Sequence, residues 1–266
     1  MKKKSIAFVF MWFFAIYLSL FSQNLFKNPE SVVFDKSGER YLVSNKGDGR
    51  IVEVGKDNKQ SVFNKDQSSI RGLLISNGVL YAACNAGVAA FNLKTGKRLF
   101  VIDIKGRKFL NDITSDTKGN LYVSDTGGNK IYKINPKTRD YKVLTENIEG
   151  PNGLLFDEIK KRLIAVSWSK NGSIMSINPG TGGTSTILKT KFSGMDGIAV
   201  DKKGRIYISS WGTGTVYRFD KDFKNTPEPV SEGYNGPADI YFNKQENILA
   251  VPEFKADKVD FVKVEN

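Results

Sequence analysis

The chain has 266 residues, enough for one domain or one repeat array with a substantial core and no need of disulfide staples. It contains no histidine and a single cysteine, which excludes Ser-His-Asp and Cys-His nucleophiles, imidazole metal sites and an internal disulfide. Its net charge is +12, or +9 once Lys2, Lys3 and Lys4 are subtracted, and the remaining lysines sit one or two at a time in turns. That is a solvated basic surface rather than a nucleic-acid interface.

The first 22 residues stand apart. Lys2, Lys3 and Lys4 precede an unbroken apolar run from Ile6 to Leu18, followed by Ser19, Leu20, Phe21 and Ser22. A basic start, an apolar stretch and small residues describe a secretory signal peptide, expected at residues 1–22 with cleavage after Ser22. The run is short for a full membrane span, so no stable span is expected once the signal is removed. No cysteine follows it to carry a lipid. The expected product is a secreted or periplasmic domain of residues 23–266.

One pattern then recurs six times: a polar or charged residue, an apolar strand, a turn, and a second apolar strand. The copies are ESVVFDKSGERYLVSN, RGLLISNGVLYAACN, NDITSDTKGNLYVSDT, NGLLFDEIKKRLIAVSW, DGIAVDKKGRIYISSW and ADIYFNKQENILAVPE. They start at Glu30, Arg71, Asn111, Asn152, Asp196 and Ala238, at intervals of 41, 40, 41, 44 and 42 residues. Alternation of apolar and polar residues reads as strand. Asp35, Asp116 and Asp201 each begin an Asp-x-x-Gly turn closing at Gly38, Gly119 and Gly204, where glycine is expected to take a positive φ. A third strand is predicted in every copy, and a fourth at Val62–Phe63, Leu99–Ile102, Tyr141–Leu144 and Thr186–Leu188.

Mostly four-stranded units of about 40 residues are the blades of a β-propeller. The predicted fold is therefore all-β and six-bladed. The last blade is left with three strands, or borrows one from around Asn24 to Phe26.

In a propeller the first strand of each blade lines the central channel, so the six starting residues should ring one mouth. Two carboxylates and two carboxamides there offer hard oxygen ligands of the kind calcium prefers. The alternative is a polar plug in which Arg71 pairs with Glu30 or Asp196, and both readings keep buried charge compensated. The second strands return to the same mouth and end at Asn45, Asn85, Thr126, Trp168, Trp211 and Glu253. Trp168 and Trp211 are placed either to wall a pocket for a sugar-like or lactone ring or to pack between blades. Asn178 to Thr184 lacks the lysine of a phosphate loop and reads as a hairpin turn. Asp125 is expected to accept hydrogen bonds from the turn amides after it, and Cys84 to be a buried small hydrophobe.

At NPESVVFD, FLNDITSD, GPNGLLFD and GMDGIAVD the chain resembles the SMP-30/gluconolactonase family and, more distantly, the paraoxonases and diisopropylfluorophosphatase. The resemblance covers about residues 27 to 266. It implies a divalent cation, calcium first, at the channel mouth, held by Glu30, Asn111, Asn152 and Asp196. The implied chemistry is hydrolysis of a small lactone or related ester, with Asp196 as general base. Asn111 would bind substrate or complete the metal shell, Arg71 would weaken cation binding unless it contacts an anionic substrate, and Trp168 and Trp211 remain the candidate walls of the substrate pocket. The sequence departs from the family at Phe109, where an arginine is common, and at Ile113, where glycine is expected. The competing reading is a non-catalytic, NHL-like propeller whose mouth binds a ligand or a protein.

Overall fold

The computed structural model describes residues 23–146 and 148–265, so the expected signal peptide lies outside the described residues. Six antiparallel sheets follow one another along the chain, five of four strands and a last one of three. Within each sheet the strands are ordered as they occur in sequence, from the inside outward. The inner strands are Pro29–Asp35, Leu73–Ser76, Leu110–Ser115, Pro151–Asp157, Met195–Val200 and Tyr241–Asn243. Each touches its neighbours in the adjacent blades, and the sixth returns to the first. This is the six-bladed propeller that the repeat predicts.

The second strands are nearly continuous apolar runs because each is covered on both faces by adjacent blades. Leu121–Asp125 and Ile206–Ser210 are buried at every position. The outermost strands, such as Gln60–Asn64 and Thr184–Lys189, are mostly exposed or half-buried and polar. Such edges resist pairing with other chains. The fifth blade also has a fourth strand, Glu228–Ser231, which the sequence pattern does not announce. Its stretch carries Pro227 and Pro229 and little apolar alternation, and proline is tolerated on an outer edge.

The hairpin turns are organised by their aspartates. Asp116 accepts hydrogen bonds from the amides of Lys118 and Asn120, both at 2.9 Å, and from the Tyr122 hydroxyl at 2.9 Å. Asp201 repeats the arrangement with Lys203, Arg205 and Tyr207. Gly119 and Gly204 have φ of +83° and +81°, as expected. The first turn differs: Gly38 is not in the left-handed region, and Glu39 takes it instead, with φ of 50°. There Asp35 accepts from the amide and hydroxyl of Ser37, the Gly38 amide and Arg40 Nε, so four bonds to one carboxylate hold a non-glycine residue in that conformation.

Ring closure uses no shared strand among the described residues; the last blade keeps three. Phe26 is buried between the first and last blades with Val32, Val43 and Ala250. The Asn28 amide donates to Asp257 Oδ1 at 2.6 Å and its carboxamide to the Phe254 carbonyl at 3.0 Å. Nearer the axis the Asp239 amide donates to the Glu30 carbonyl at 2.8 Å. Of the two expected closures the three-stranded last blade is the one formed, and the segment around Phe26 and Asn28 latches it to the first blade.

Candidate active site at the channel mouth

Half of the six residues that start the copies meet in one place. Glu30, Asn111 and Asp196, from blades one, three and five, line a single cavity of about 440 Å³. Asn152 is fully buried beside them, close enough to Asp196 to favour its charged form. Glu30 Oε2 and both amide atoms of Asn152 are buried without a hydrogen-bond partner. Unpaired buried polar atoms are costly, and several aimed at one place mark a site that a ligand completes. Ala238, the sixth ring residue, brings no polar atom.

Electrostatics reinforce this. Burial raises the Glu30 carboxyl well above its ordinary range, and the nearby Asp196 and Asp239 raise it further, with Arg71 opposing. Burial and Asp239 likewise raise Asp196, against the Trp211 indole, the Asn152 carboxamide and the Lys46 ammonium. Neither Trp211 Nε1 nor Asn152 makes a regular hydrogen bond to that carboxylate, so their effect is that of nearby dipoles. A divalent cation among these oxygens would remove the cost of holding two carboxylates so close. The donor set is two carboxylates and two carboxamides. Among the described residues no three His, Cys, Asp or Glu side chains cluster as metal ligands.

The cavity wall is aromatic. Trp168, Trp211, Phe109 and Phe254 line it, together with Lys46, Thr126 and Gly127. The two indoles meet edge to face with centroids 5.3 Å apart, and Trp168 remains 40% exposed. Asp125 helps place Phe109. Its carboxylate accepts from the Lys108 amide at 2.9 Å and the Phe109 amide at 2.6 Å, besides the turn amide of Gly128 at 2.9 Å.

Arg71 does not line the cavity. Its guanidinium donates to the Leu110 carbonyl, to Ser69 Oγ at 2.9 Å and to Asn85 Oδ1 at 3.1 Å, and it stacks 4.4 Å from the Phe109 ring centroid. No carboxylate pairs with it among the described residues, so the expected plug pairing with Glu30 or Asp196 is not formed. Burial lowers its pKa, and the field of Glu30 is the largest opposing influence. Asn45 and Glu253, at the ends of their strands, face other partners, the Leu25 carbonyl and Lys258. Cys84 is buried and free.

Sequence reasoning missed a second layer below the ring. The residues following the six ring positions are Ser31, Gly72, Asp112, Gly153, Gly197 and Asp239. A side chain at Gly153 would place Cβ 2.2 Å from the Asp196 carbonyl oxygen, and one at Gly197 would place it 2.3 Å from the Ile240 nitrogen. These glycines let the inner strands approach, and the polar residues fill the axis. Ser31 donates to Asp239, while Asp112 accepts from the Leu154 amide at 2.6 Å. The signal was present as an alternation of glycine with Ser or Asp one residue along from the ring.

Comparison with known proteins follows the same lines. A family model described as SMP-30/Gluconolactonase/LRE-like region matches residues 28–247. Lactonase drp35 of Staphylococcus aureus (strain USA300) is 26% identical over 221 residues, covering 77% of this chain and 62% of that protein. The chain therefore spans less than two thirds of the length of this relative. A crystal structure described as a gluconolactonase from Xanthomonas campestris superposes with a TM-score of 0.73 at 17% identity, covering 88% of this chain and 84% of that one. A protein of unknown function from Bacteroides thetaiotaomicron superposes with a TM-score of 0.76 at 16% identity, covering 90% and 70%. At such identities the structural likeness speaks for the fold alone.

Proposed function

The chain belongs to the SMP-30/Gluconolactonase/LRE-like family, and on that premise we propose that it is a divalent-metal-dependent hydrolase opening a small lactone or ester. The observation that carries this reading is the meeting of Glu30, Asn111 and Asp196 in one aromatic-walled cavity, with Glu30 Oε2 and the Asn152 carboxamide buried and unpartnered. Glu30, Asn111, Asn152 and Asp196 are the residues that would hold the cation, calcium first. When bound, such an ion polarises a carbonyl and stabilises the oxyanion.

The chain's own residues supply the rest. Asp196 accepts a proton from the water that attacks the carbonyl carbon. The Trp211 indole, the Asn152 carboxamide and the Lys46 ammonium favour its charged form, in which it can take that proton. The acyl C–O bond then breaks, and the proton passes to the departing ring oxygen to give a hydroxy acid. Trp168 and Trp211 hold the ring of the substrate, and Asn111 binds the substrate or completes the donor set. The basic and apolar N-terminus supports export as part of this proposal, and N-terminal sequencing of the exported protein should then begin at Gln23.

A panel of small lactones and aryl esters, assayed with calcium, magnesium, manganese and zinc, tests the reading. Turnover that a chelator abolishes and that Asp196→Asn lowers by at least about 10³-fold supports it. No turnover with any of the four metals overturns it.

A further inference from the structure

Lys46 follows the second strand of the first blade, in a turn fixed by backbone bonds. Its amide donates to the Asn28 carbonyl at 3.1 Å, and the Gly47 amide to the Lys27 carbonyl at 3.1 Å. From there the side chain enters the cavity wall. Its ammonium lies 5.0 Å from the Phe254 ring centroid and 5.5 Å from that of Phe109. No carboxylate forms an ion pair with it among the described residues. Aromatic faces hold an ammonium in place by about 0.5–1 kcal/mol at partly exposed sites without neutralising it. Lys46 is thus a half-buried cation, oriented by two rings and with no anion of its own.

The rest of the wall narrows what that cation faces. Apart from the candidate metal-holding residues, it is built of four aromatic rings, one glycine and Thr126. The Thr126 hydroxyl already donates to the Pro151 carbonyl at 2.7 Å. With so few hydrogen-bonding groups in the wall a polyhydroxylated ring would leave most of its hydroxyls without protein partners, whereas a flat apolar ring would be covered on its faces. A divalent ion held by Glu30 and Asp196 would offset their charges, which would leave the Lys46 ammonium as the net charge of the cavity wall. Lys255 adds a second cation at the rim, 5.1 Å from the Trp211 ring centroid.

We propose that Lys46 is a specificity-determining residue, and that the preferred substrate joins a flat apolar ring to an anionic substituent distinct from the carbonyl under attack. This rests on the hydrolase reading for the word substrate, but the binding preference stands independently of turnover. The test is therefore a binding measurement. With calcium present, tryptophan fluorescence is titrated with benzenesulfonate, a poor calcium ligand, and with neutral benzenesulfonamide.

Wild type should prefer the sulfonate by at least about tenfold, which is about 1.4 kcal/mol. Lys46→Met should erase that preference while moving the sulfonamide affinity less than about twofold, and Lys46→Arg should retain it. Equal affinities in wild type, or a Lys46→Met variant that weakens both ligands alike or neither, would overturn the proposal. A protein that hydrolyses lactones without regard to charge would lose this inference and keep the hydrolase reading. One that turns over nothing but discriminates through Lys46 would do the reverse.

Discussion

Ser31 of the first blade donates its hydroxyl to Asp239 of the sixth at 2.5 Å, directly across the seam where the ring closes. The same oxygen accepts the Leu73 amide of the second blade at 3.1 Å, so one side chain links three blades at the axis. Ser31→Ala would leave a buried carboxyl and a buried amide each short of a partner. Urea unfolding should show a loss of about 2 kcal/mol. A loss no greater than that of an exposed Ser61→Ala control would show that the seam does not depend on this link.

Gly153→Ala should be more damaging. The added carbon would meet the Asp196 carbonyl oxygen at 2.2 Å, an atom of a neighbouring inner strand that cannot turn aside. The expected cost is about 3 kcal/mol or more, with cation binding disturbed because Asp196 itself must shift. Gly183→Ala is the control, since the nearest atom there is the Thr181 hydroxyl oxygen at 3.4 Å. Thermal unfolding of the two variants distinguishes close strand approach from a general intolerance of alanine.

The axial acids set a pH dependence whose sign is fixed. Burial raises Asp239 from its ordinary 3.8 to about 7, against hydrogen bonds with Ser31 and Asp112. The folded chain therefore binds more protons than the unfolded chain across that window. Through Asp239, stability of the cation-free protein falls as pH rises from about 4 to about 7. Glu30, Asp112 and Asp196 are raised by burial as well and act with the same sign. Chelator-treated protein should melt higher at pH 5 than at pH 8, and Asp239→Asn should shrink that difference. Calcium should restore more of the melting temperature at pH 8 than at pH 5. A cation-free protein that melts higher at pH 8, with Asp239→Asn unchanged in slope, would contradict this account.

The sequence made the fold legible because its period is that of a blade and each copy alternates like a strand. The ring was legible for the same reason: residues at one phase of a repeat reach one level of the channel. Phase alone does not say where a long side chain turns. Arg71 shares its phase with Glu30 and Asp196, yet its guanidinium is drawn off to Leu110, Ser69 and Asn85. Lys46 was missed because it lies one residue past a strand end, at a phase where the other copies carry residues as different as Gly127 and Phe254. Its backbone is held by Asn28 and Lys27, which lie opposite it where the first two strands of the blade pair. Ser31, Asp112 and Asp239 stood in plain sight beside the ring, but their pairing requires inner strands from separate blades to touch.

The hydrolase account depends on a cation held by oxygens from blades one, three, four and five. Equilibrium dialysis against calcium, magnesium, manganese and zinc, with bound metal counted by mass spectrometry, measures this directly. The account predicts one divalent ion per wild-type chain at the mouth, lost in Asp196→Ala and in Glu30→Gln while both variants remain folded. A chain that retains no ion, or retains the same ion undiminished in both variants, would contradict it.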